Sequence, residues 1–561
     1  MPSGRNGTAL GFMKKKNHKY IFVIGGVMSG VGKGIATSSI GKILQSKNYK
    51  VNPIKVDPYL NIDAGTMNPT EHGEVFVIDS GLECDQDLGN YERFMNIDLK
   101  PDNYMTSGMI YQHVIEKERN LGYKGKCVEA IPHITGEITR RIQKSAETSG
   151  ADISIVEIGG TVGDYQNIMF IEAARTLKLK NPDDVIFVLV SYLPIPSTLG
   201  EMKTRPTQNA VRNLNSYGVQ PEIIIARGAT VLDERRKEKI AVSCNIAAEN
   251  VISAPDVDSV YDVPLNFEKD NLGGIILKSL KLKTKNEKDM KDWKSFVAKV
   301  KSAKEEVNIA VIGKYFDTGD FVLSDAYISV IEAVKYSAYN LGVRAKLTWL
   351  NSKDLENGEK EVSMLNNFDG VIVPGGFGES GIEGKLKAIK FARENKIPYL
   401  GLCYGMQLAV IEYARNVLGL KDANTTEIDP NSKNPVIDIM SDQKKNMEDE
   451  KYGGTMRLGA YKAVLGKGTI ARAAYGEDEV WERHRHRYEV NTDYIKKIES
   501  AGLVFSGKSP DGNLMEIVEL PKSAHPFFLG TQFHPEFKAR PLHPHPLFTE
   551  FMKAAIARKK K

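Results

Sequence analysis

Residues 19–44 read KYIFVIGGVMSGVGKGIATSSIGKIL, an apolar run of strand length, then closely spaced glycines around Lys33, then a helical pattern. Glycines let backbone N–H groups approach phosphate oxygens, the helix start adds its positive end, and the lysine supplies a charge. The strict form of this loop has Gly where Val27 stands and Ser or Thr where Gly34 stands, so the usual hydroxyl ligand of Mg²⁺ is absent. We predict a nucleoside-triphosphate loop, against the alternative of a glycine-rich turn before a helix.

Short apolar runs alternate with helical stretches from this loop to about residue 280. The further strand-like runs are KVNPIKVD (50–57), DISIVEIGG (152–160), DVIFVLVSYLP (184–194), PEIIIARG (221–228) and NVISAP (250–255). After a charged stretch, the pattern returns in VNIAVIGKY (307–315), RAKLTWL (344–350), FDGVIVPGG (368–376), PYLGLC (398–403), LVFSG (503–507) and LGTQFHPE (529–536). Such alternation predicts an α/β fold class with two doubly wound, mostly parallel-sheet domains.

Composition limits the classes of protein that this chain can belong to. Its 561 residues allow more than one large domain, and 41% hydrophobic with 26% charged residues is the balance of a globular protein. The net charge of +5 is small for this length, so we expect no nucleic-acid partner. No apolar run approaches the roughly 18–20 residues of a membrane span, so we expect no membrane association.

The N-terminal residues and the cysteine pattern indicate in which cell compartment we expect the protein. Residues 1–18 lack an apolar core and a cleavage site, so we interpret them as a polar extension and not as a secretory signal. Four scattered cysteines form no CxxC pair, which suits a reducing, cytoplasmic location. We predict an N-terminal domain over 19–280, a charged, helical linker over 281–306 and a C-terminal domain over 307–561.

Acidic residues that follow the phosphate loop are candidate metal ligands. Asp85 and Asp87 lie two residues apart in ECDQDLGNYERF (83–94), and Glu157 ends a buried strand in VEIGGTVGD (156–164). Carboxylates at strand ends suit Mg²⁺, which takes hard oxygen ligands and shares them with phosphates. Each acid could equally be a helix cap or lie in a solvated loop.

The segment LGEMKTRPTQNAV (199–211) gathers cations and hydroxyls around a proline. Lys203, Arg205 and Thr207 on a stiff loop could hold the phosphates of a second nucleotide. Exposed loops are often basic, so an unspecific surface loop remains the alternative.

The stretch PYLGLCYGMQLAVIEYA (398–414) contains an apolar strand that ends at Cys403, followed by a helix. Gly401 and Gly405 permit the sharp strand-to-helix turn that presents a nucleophile, and the helix start favours a thiolate. We therefore predict an activated cysteine. A buried structural cysteine is the alternative.

A thiolate of this kind needs a base, which LGTQFHPEF (529–537) supplies as His534 and Glu536. Two residues apart, they lie on one face if the segment is extended. Upstream, Gly375, Gly376 and Gly378 follow a strand, where backbone N–H groups can stabilise an oxyanion. The four parts of an acyl-transfer mechanism are therefore present in separate segments.

The C-terminal motifs resemble the class I glutamine amidotransferases, and the N-terminal ones resemble the amidoligase domain of the CTP synthase family. The resemblance extends from about residue 19 to 551. It rests on GGVMSGVGKG (25–34), KVDPYLNIDAGTM (55–67), EHGEVFVID (71–79), DLGNYERF (87–94), VEIGGTVGD (156–164), KTRPTQ (203–208) and ERHRHRYEVN (482–491).

The resemblance implies a role for each of several groups of residues. For ATP it implies contacts from Gly30, Val31, Gly32, Lys33, Gly34, Ile35, Asp85, Arg227, Pro255, Asp256 and Val257. For UTP, and for CTP as feedback inhibitor, it implies contacts from Ser29, Asp164, Tyr165, Gln166, Lys203, Thr204, Arg205, Pro206, Thr207, Gln208 and Lys239. For glutamine it implies contacts from Gly376, Tyr404, Gly405, Met406, Gln407, Glu427 and Arg487. Asp85 and Glu157 would hold Mg²⁺, and Lys55 would lie beside the reacting phosphates.

By this resemblance, Cys403, His534 and Glu536 release ammonia from glutamine, and ATP phosphorylates UTP so that ammonia can displace the phosphate and form CTP. GTP as allosteric activator, a homotetramer and filament assembly are further implications. Three positions depart from the family pattern: Tyr404 replaces leucine, Ser380 replaces arginine at a position associated with GTP, and Gln166 replaces glutamate near the CTP region. A non-catalytic scaffold and another glutamine-dependent ligase, such as a cobyrinate amidase, are the rival interpretations.

Overall fold

The computed structural model describes residues 18–198, 200–285, 289–313, 317–318, 321–322, 324–376, 378, 381–440, 443, 446 and 453–560. The predicted N-terminal extension up to residue 17 and Ser380 lie outside these residues. The chain divides into two compact units. The first comprises Met1–Pro58, Val114–Asp258 and Asn266–Lys288, and the second comprises Tyr59–His113, Ser259–Leu265 and Asp289–Lys561.

The strands of the described residues are numbered in chain order. They are β1 (Lys19–Gly26), β2 (Val51–Asp57), β3 (Val75–Val77), β4 (Glu83–Asp85), β5 (Tyr104–Thr106), β6 (Ile153–Ile158), β7 (Val185–Tyr192), β8 (Ile223–Gly228), β9 (Val251–Pro255), β10 (Glu306–Gly313), β11 (Asp317–Thr318), β12 (Phe321–Val322), β13 (Arg344–Asn351), β14 (Gly370–Val373), β15 (Tyr399–Leu402), β16 (Ala423–Thr425), β17 (Asn434–Ile439), β18 (Arg457–Leu465), β19 (Glu479–His486), β20 (Tyr488–Val490), β21 (Val504–Lys508), β22 (Met515–Glu519) and β23 (Phe528–Thr531).

The α-helices of the described residues are numbered in the same way. They are α1 (Lys33–Ser46), α2 (Pro69–His72), α3 (Gln86–Met95), α4 (Ser107–Arg119), α5 (Thr135–Ser149), α6 (Ile168–Lys180), α7 (Arg205–Ser216), α8 (Glu234–Cys244), α9 (Val263–Lys269), α10 (Leu272–Ser279), α11 (Lys291–Ser302), α12 (Ile328–Asn340), α13 (Ser352–Asn357), α14 (Ile382–Glu394), α15 (Tyr404–Asn416), α16 (Ile470–Tyr475), α17 (Thr492–Ser500) and α18 (Pro546–Lys559).

In the first unit, parallel strands lie side by side in the order β2, β6, β1, β7, β8, β9. Every residue of β1 and β6 is buried, as expected of strands covered on both faces. Leu189, Ile224 and Val211 belong to one core cluster, in which α7 packs on the sheet. The carboxyl ends of the parallel strands share one edge, which is where α/β proteins bind ligands.

In the second unit, β13, β10, β14, β15 and β23 are parallel neighbours, and β22, β21, β18 and β19 continue the sheet in antiparallel pairs. Its core combines Val371, Tyr399 and Phe528 of the strands with Leu408 and Ile411 of α15. The predicted fold class is confirmed, and the antiparallel extension is an addition that the sequence did not predict.

The charged stretch that follows the first alternation contains α11, a helix whose apolar side faces inward. Trp293, Phe296 and Val300 are buried, and the Trp293 indole N–H donates to the carbonyl of Tyr261 at 2.9 Å. Among the described residues, no helix has the length and apolar character needed to cross a bilayer.

Candidate functional site

Cys403 occupies the sharp turn between β15 and α15. Its φ of 49° and ψ of −100° lie outside the usual regions for a residue with a side chain, a strain that is often found at functional positions. The backbone N–H of Cys403 donates to Thr531 at 2.6 Å on the neighbouring strand, which anchors the turn. The predicted strand–turn–helix presentation of this cysteine is therefore what the chain adopts.

The two glycines that flank Cys403 are required by close packing. A Cβ on Gly405 would lie 2.1 Å from the carbonyl oxygen of Val373, and one on Gly401 would lie 2.7 Å from the backbone of Gly405. Backbone atoms cannot move aside as a flexible side chain can, so a larger residue at either place would displace the turn.

His534 and Glu536 meet beside this cysteine. His534 Nδ1 lies 2.7 Å from Glu536 Oε1, and both side chains are buried. The expected extended geometry is wrong, because Pro535–Lys538 forms a 3₁₀ helix whose N-cap is His534. The chain turns directly after His534, and the imidazole and the carboxylate still meet at 2.7 Å.

The charges around His534 determine its protonation. Burial alone would lower the pKa of His534, but the Glu536 carboxylate and Cys403 raise this pKa from 6.5 to about 10. The imidazole is therefore protonated at neutral pH. An imidazolium between a carboxylate and a sulfur atom is the arrangement expected of a cysteine–histidine pair.

A cavity of about 600 Å³ opens onto these groups. Its lining includes Gly375, Gly376, Cys403, Arg485, Arg487 and His534. A cavity of this size has room for a small polar metabolite, and Arg487 on its wall supplies positive charge for a carboxylate. Gly376 and Arg487, two of the predicted glutamine contacts, therefore face the same space as Cys403.

The other predicted glutamine contacts take different positions. Met406 and Gln407 are buried on α15, where the Gln407 amide donates to the carbonyl of Tyr488 at 2.9 Å. Glu427 Oε1 accepts a hydrogen bond of 2.9 Å from the backbone N–H of Gly378. Gly375, Gly376 and Gly378 are called the glycine loop here, and the carboxylate of Glu427 fixes its last glycine.

Sequence reasoning missed the buried charges that support β19. The Arg483 guanidinium donates to Glu92 at 2.8 and 3.1 Å, and Arg540 donates to the same carboxylate at 2.6 Å. Burial alone would raise the pKa of Glu92, but the two arginines hold it below its usual range. Arg485 is paired in the same way with Glu83 at 2.8 Å. The alternating arginines of ERHRHRYEVN were the available signal.

Glu74 is a second functional candidate that the sequence did not indicate. Its carboxylate lines the cavity and accepts hydrogen bonds from the backbone N–H and the hydroxyl of Ser329. Burial raises the pKa of Glu74 to about 7, although the nearby Arg93 acts in the opposite direction.

In the first unit, the predicted phosphate loop connects β1 to α1. Gly30 and Gly32 have positive φ angles of 69° and 88°, and Val27 has one of 78° where the strict pattern has glycine. Lys33 begins α1 and its ammonium donates to the carbonyl of Gly160 at 2.9 Å. The loop therefore has the left-handed turns and the helix start that a phosphate site uses.

Lys55 and Glu157 meet at the carboxyl ends of adjacent strands β2 and β6. Their charged atoms are 3.2 Å apart, and Asp57 lies 3.7 Å from the same ammonium. Both side chains are nearly inaccessible to solvent. Lys55 is thus a buried cation between two carboxylates, at the sheet edge where α/β proteins bind ligands.

Two of the predicted ATP contacts, Arg227 and Asp256, lie together. Arg227 Nε is 3.4 Å from Asp256 Oδ1, and Arg227 also donates to the carbonyl of Gly30 at 3.3 Å. Pro255 and Val257 flank Asp256 and are partly buried. This part of the predicted ATP site is therefore assembled next to the phosphate loop.

The predicted UTP and CTP residues are distributed over several elements of the first unit. Thr204 is the residue before α7, and its hydroxyl accepts from the Gln208 amide at 3.2 Å, while Thr207 shares a 2.7 Å hydrogen bond with Ser191. Lys203 forms an exposed ion pair with Glu201. The remaining positions are solvent-exposed or partly buried: Ser29, Asp164, Tyr165, Gln166, Arg205, Pro206 and Lys239.

Asp85 lies in the second unit, where it caps α3. One oxygen accepts from the backbone N–H of Asp87 at 2.7 Å, and the other is 3.5 Å from His72. Asp85 thus serves as a helix cap, one of the alternatives that the sequence left open. Within the described ranges, no three His, Cys, Asp or Glu side chains are grouped to hold a metal ion.

Comparison with family models identifies the class of protein. Residues 19–282 match the model of the CTP synthase N-terminus, and residues 322–554 match that of class I glutamine amidotransferases. A cysteine elbow with a histidine–glutamate pair in one unit and a phosphate loop in the other agree with these matches. The chain is a glutamine amidotransferase joined to a nucleotide-using ligase domain.

Curated relatives identify the family. A CTP synthase of Pyrococcus furiosus is 50% identical over 540 residues, 96% of this chain and 98% of the relative. That of Sulfolobus acidocaldarius is 49% identical over 539 residues, 96% of this chain and all of the relative. The solved glutaminase domain of a Trypanosoma brucei relative, with bound acivicin, is 40% identical over 45% of this chain and 94% of its own, with a TM-score of 0.41.

The chain belongs to the CTP synthase family. It is a glutamine-hydrolysing ligase that forms CTP from UTP with ATP as co-substrate. Among the rivals that the sequence left open, the scaffold and the cobyrinate-type ligase are therefore set aside.

Proposed function

We propose that Cys403 attacks the side-chain amide of glutamine, with His534 as the proton donor to the departing ammonia and Glu536 as the group that orients and charges His534. The supporting observation is the 2.7 Å contact between His534 and Glu536 beside a cysteine at a strained turn. A glutamyl thioester forms as ammonia leaves, and water then hydrolyses it to glutamate. Backbone N–H groups after Gly375 and at Tyr404 stabilise the oxyanion.

Ammonia is consumed in the second reaction. ATP transfers its γ-phosphoryl group to O4 of UTP, and ammonia displaces the resulting phosphate at C4, which yields CTP, ADP and phosphate. Lys33 and Lys55 supply positive charge to the phosphates. Support comes from the position of Lys33 at the start of α1 and from the burial of Lys55 among carboxylates.

We propose the ligand contacts as predicted: the phosphate loop with Arg227 and Asp256 for ATP, the 203–208 segment for UTP, and the Asp164 region for CTP as feedback inhibitor. Asp85 and Glu157 carry hard carboxylate oxygens of the type that Mg²⁺ prefers, and they would hold this ion. When bound, Mg²⁺ neutralises phosphate charge. GTP activation, a homotetramer, filament assembly and a cytoplasmic location remain proposals based on the family.

The proposed domain ranges are 19–280 for the amidoligase, 281–306 for the linker and 307–561 for the glutaminase. This division of labour predicts that each half can be inactivated separately. Cys403→Ala should abolish CTP formation from glutamine and keep the rate with ammonium within about twofold. Lys33→Ala should abolish CTP formation with both nitrogen sources, because both reactions need the phosphoryl transfer.

Cys244→Ala is the matched control, because Cys244 is a buried cysteine on α8 in the other unit. It should leave both rates unchanged. Equal loss of the glutamine and ammonium rates in Cys403→Ala would contradict the proposed roles. Absence of CTP from the unsubstituted enzyme with either nitrogen source would contradict the assignment of the reaction.

A further inference from the structure

The side chain that follows the predicted nucleophile is a tyrosine held inside the protein. Tyr404 is the first residue of α15 and is only 2% exposed. Its hydroxyl donates to the carbonyl of Gly378 at 3.4 Å. The proposed chemistry uses only the backbone N–H of this residue, so the buried hydroxyl needs an explanation of its own.

Gly378 is held on both sides of its α-carbon. Its N–H donates to Glu427 at 2.9 Å, and its carbonyl accepts from Tyr404. These two bonds hold the N–H and the carbonyl of Gly378, which has a φ of +77°. Rotation about the bonds of this glycine would cost little otherwise, because it has no Cβ to restrict it. The pair of contacts therefore determines the direction of the glycine loop.

The ring of Tyr404 is itself fixed in orientation. The ammonium of Lys385 lies 5.3 Å from the ring centroid, and Lys385 is 1% exposed. A buried cation on an aromatic face is a directional attraction. The hydroxyl is thus aimed at the loop by a packed side chain and a charge.

The same loop forms part of the cavity wall. Gly375 and Gly376, just before Gly378 in the chain, line the cavity together with Cys403. An error in the direction of the loop moves N–H groups that must face the glutamine amide and its oxyanion, and such groups work only at correct distances.

We propose that Tyr404 is a positioning residue for glutamine, acting through its hydroxyl on Gly378, and that it takes no part in the use of free ammonia. The inference rests on the proposed function of the cavity as the glutaminase site. It concerns the side chain and is separate from the backbone N–H of the same residue.

Tyr404→Phe tests the inference in the full-length enzyme, because it removes the hydroxyl and keeps the ring and the backbone. We expect kcat/KM for glutamine to fall about two- to tenfold, the range of one hydrogen bond. CTP formation with ammonium should be unchanged. Tyr413→Phe is the matched control, since Tyr413 is also a buried tyrosine of α15 and donates to the carbonyl of Ala501 at 2.6 Å. It should lower the melting temperature and leave the glutamine parameters unchanged.

Two thiol reagents separate positioning from a general disturbance. 6-Diazo-5-oxo-L-norleucine must bind as glutamine before it alkylates the cysteine, whereas iodoacetamide needs only an accessible thiolate. We expect Tyr404→Phe to slow inactivation by the first reagent by the same factor as kcat/KM, and to leave the rate with iodoacetamide unchanged.

A glutamine kcat/KM equal to that of the unsubstituted enzyme would overturn the inference. So would an equal slowing with both reagents, because the hydroxyl would then act on the thiol environment. Failure of the proposed function is distinguishable: the unsubstituted enzyme itself would not use glutamine, or the diazo reagent would not modify Cys403.

Discussion

Replacing Glu536 by Gln should move the alkaline limit of glutaminase activity toward neutral pH. Burial lowers the pKa of His534, but Glu536 and Cys403 raise it to about 10. A glutamine side chain keeps an acceptor oxygen for Nδ1–H and removes the charge. Hydrogen bonds to charged groups contribute about 1.5–3 kcal/mol, roughly twice those between neutral groups. Loss of the charge removes about half of this contribution, which at about 1.4 kcal/mol per pKa unit lowers the pKa of His534 by roughly 0.5 to 1 unit.

The sign of the effect follows from which form is stabilised. The folded state favours the imidazolium, so this contribution to stability is fully present below pH 6.5, the usual pKa of histidine, and is lost as the pH rises through about 10. Loss of the proton also removes the acid that protonates departing ammonia. In Glu536→Gln the activity should therefore decline at a pH about 0.5 to 1 unit lower than in the unsubstituted enzyme.

The assay is glutamate release with ATP and UTP present, measured from pH 6.5 to 10.5. CTP formation with ammonium at each pH is the internal control, because it does not use His534. Glu550→Gln, which removes the charge of an exposed ion pair with Lys553, is the matched variant and should keep the original profile. An alkaline limb at the same pH in Glu536→Gln and the unsubstituted enzyme would refute the reasoning.

Three further substitutions test features of the two units. Glu92→Gln removes the charge that pairs with two buried guanidiniums, those of Arg483 and Arg540. It should lower the free energy of unfolding in urea by about 3 kcal/mol or more, and an unchanged urea midpoint would contradict this. Burial raises the pKa of Glu74 to about 7, so its charge costs stability increasingly between pH 4.5 and 7. The melting temperature of Glu74→Gln relative to the unsubstituted enzyme should therefore rise between pH 5.5 and 8, and a constant difference would speak against it. Val27 has a left-handed φ of 78°, a strain of about 1–2 kcal/mol that Val27→Gly removes. Glycine also makes the unfolded chain more flexible, which costs about 0.5–1 kcal/mol, so the melting temperature should rise slightly. A lower melting temperature would be the contrary result.

The sequence predicts the parallel strands well because buried strands appear as uninterrupted apolar runs. β1 coincides with the run that opens at Lys19. β19 was not predicted, because its sequence, EVWERHRH, alternates charges with histidines. Those charges are buried only because carboxylates far away in the chain, Glu83 and Glu92, reach them. No local pattern reports a partner about 400 residues distant.

Site residues divide along the same line. Cys403 could be predicted because flanking glycines and a strand–helix change are local signals. The pairing of His534 with Glu536 could be predicted, but the extended backbone expected for this segment is wrong, because Pro535 starts a 3₁₀ turn. Glu74 could not be found, since burial raises its pKa and its hydrogen-bond partner, Ser329, belongs to a distant segment of the chain.

The burial of Glu92 between two arginines affects the stability of any C-terminal fragment of this protein. Glu83 and Glu92 belong to the segment Tyr59–His113. In the sequence, residues of the first unit separate this segment from the rest of the second unit. A fragment that begins at Asp289 would carry Arg483, Arg485 and Arg540 without these carboxylates. In such a fragment the buried guanidiniums would lose the carboxylates that compensate their charge, which lowers stability. Co-expression of residues 59–113 should therefore raise the melting temperature of this fragment.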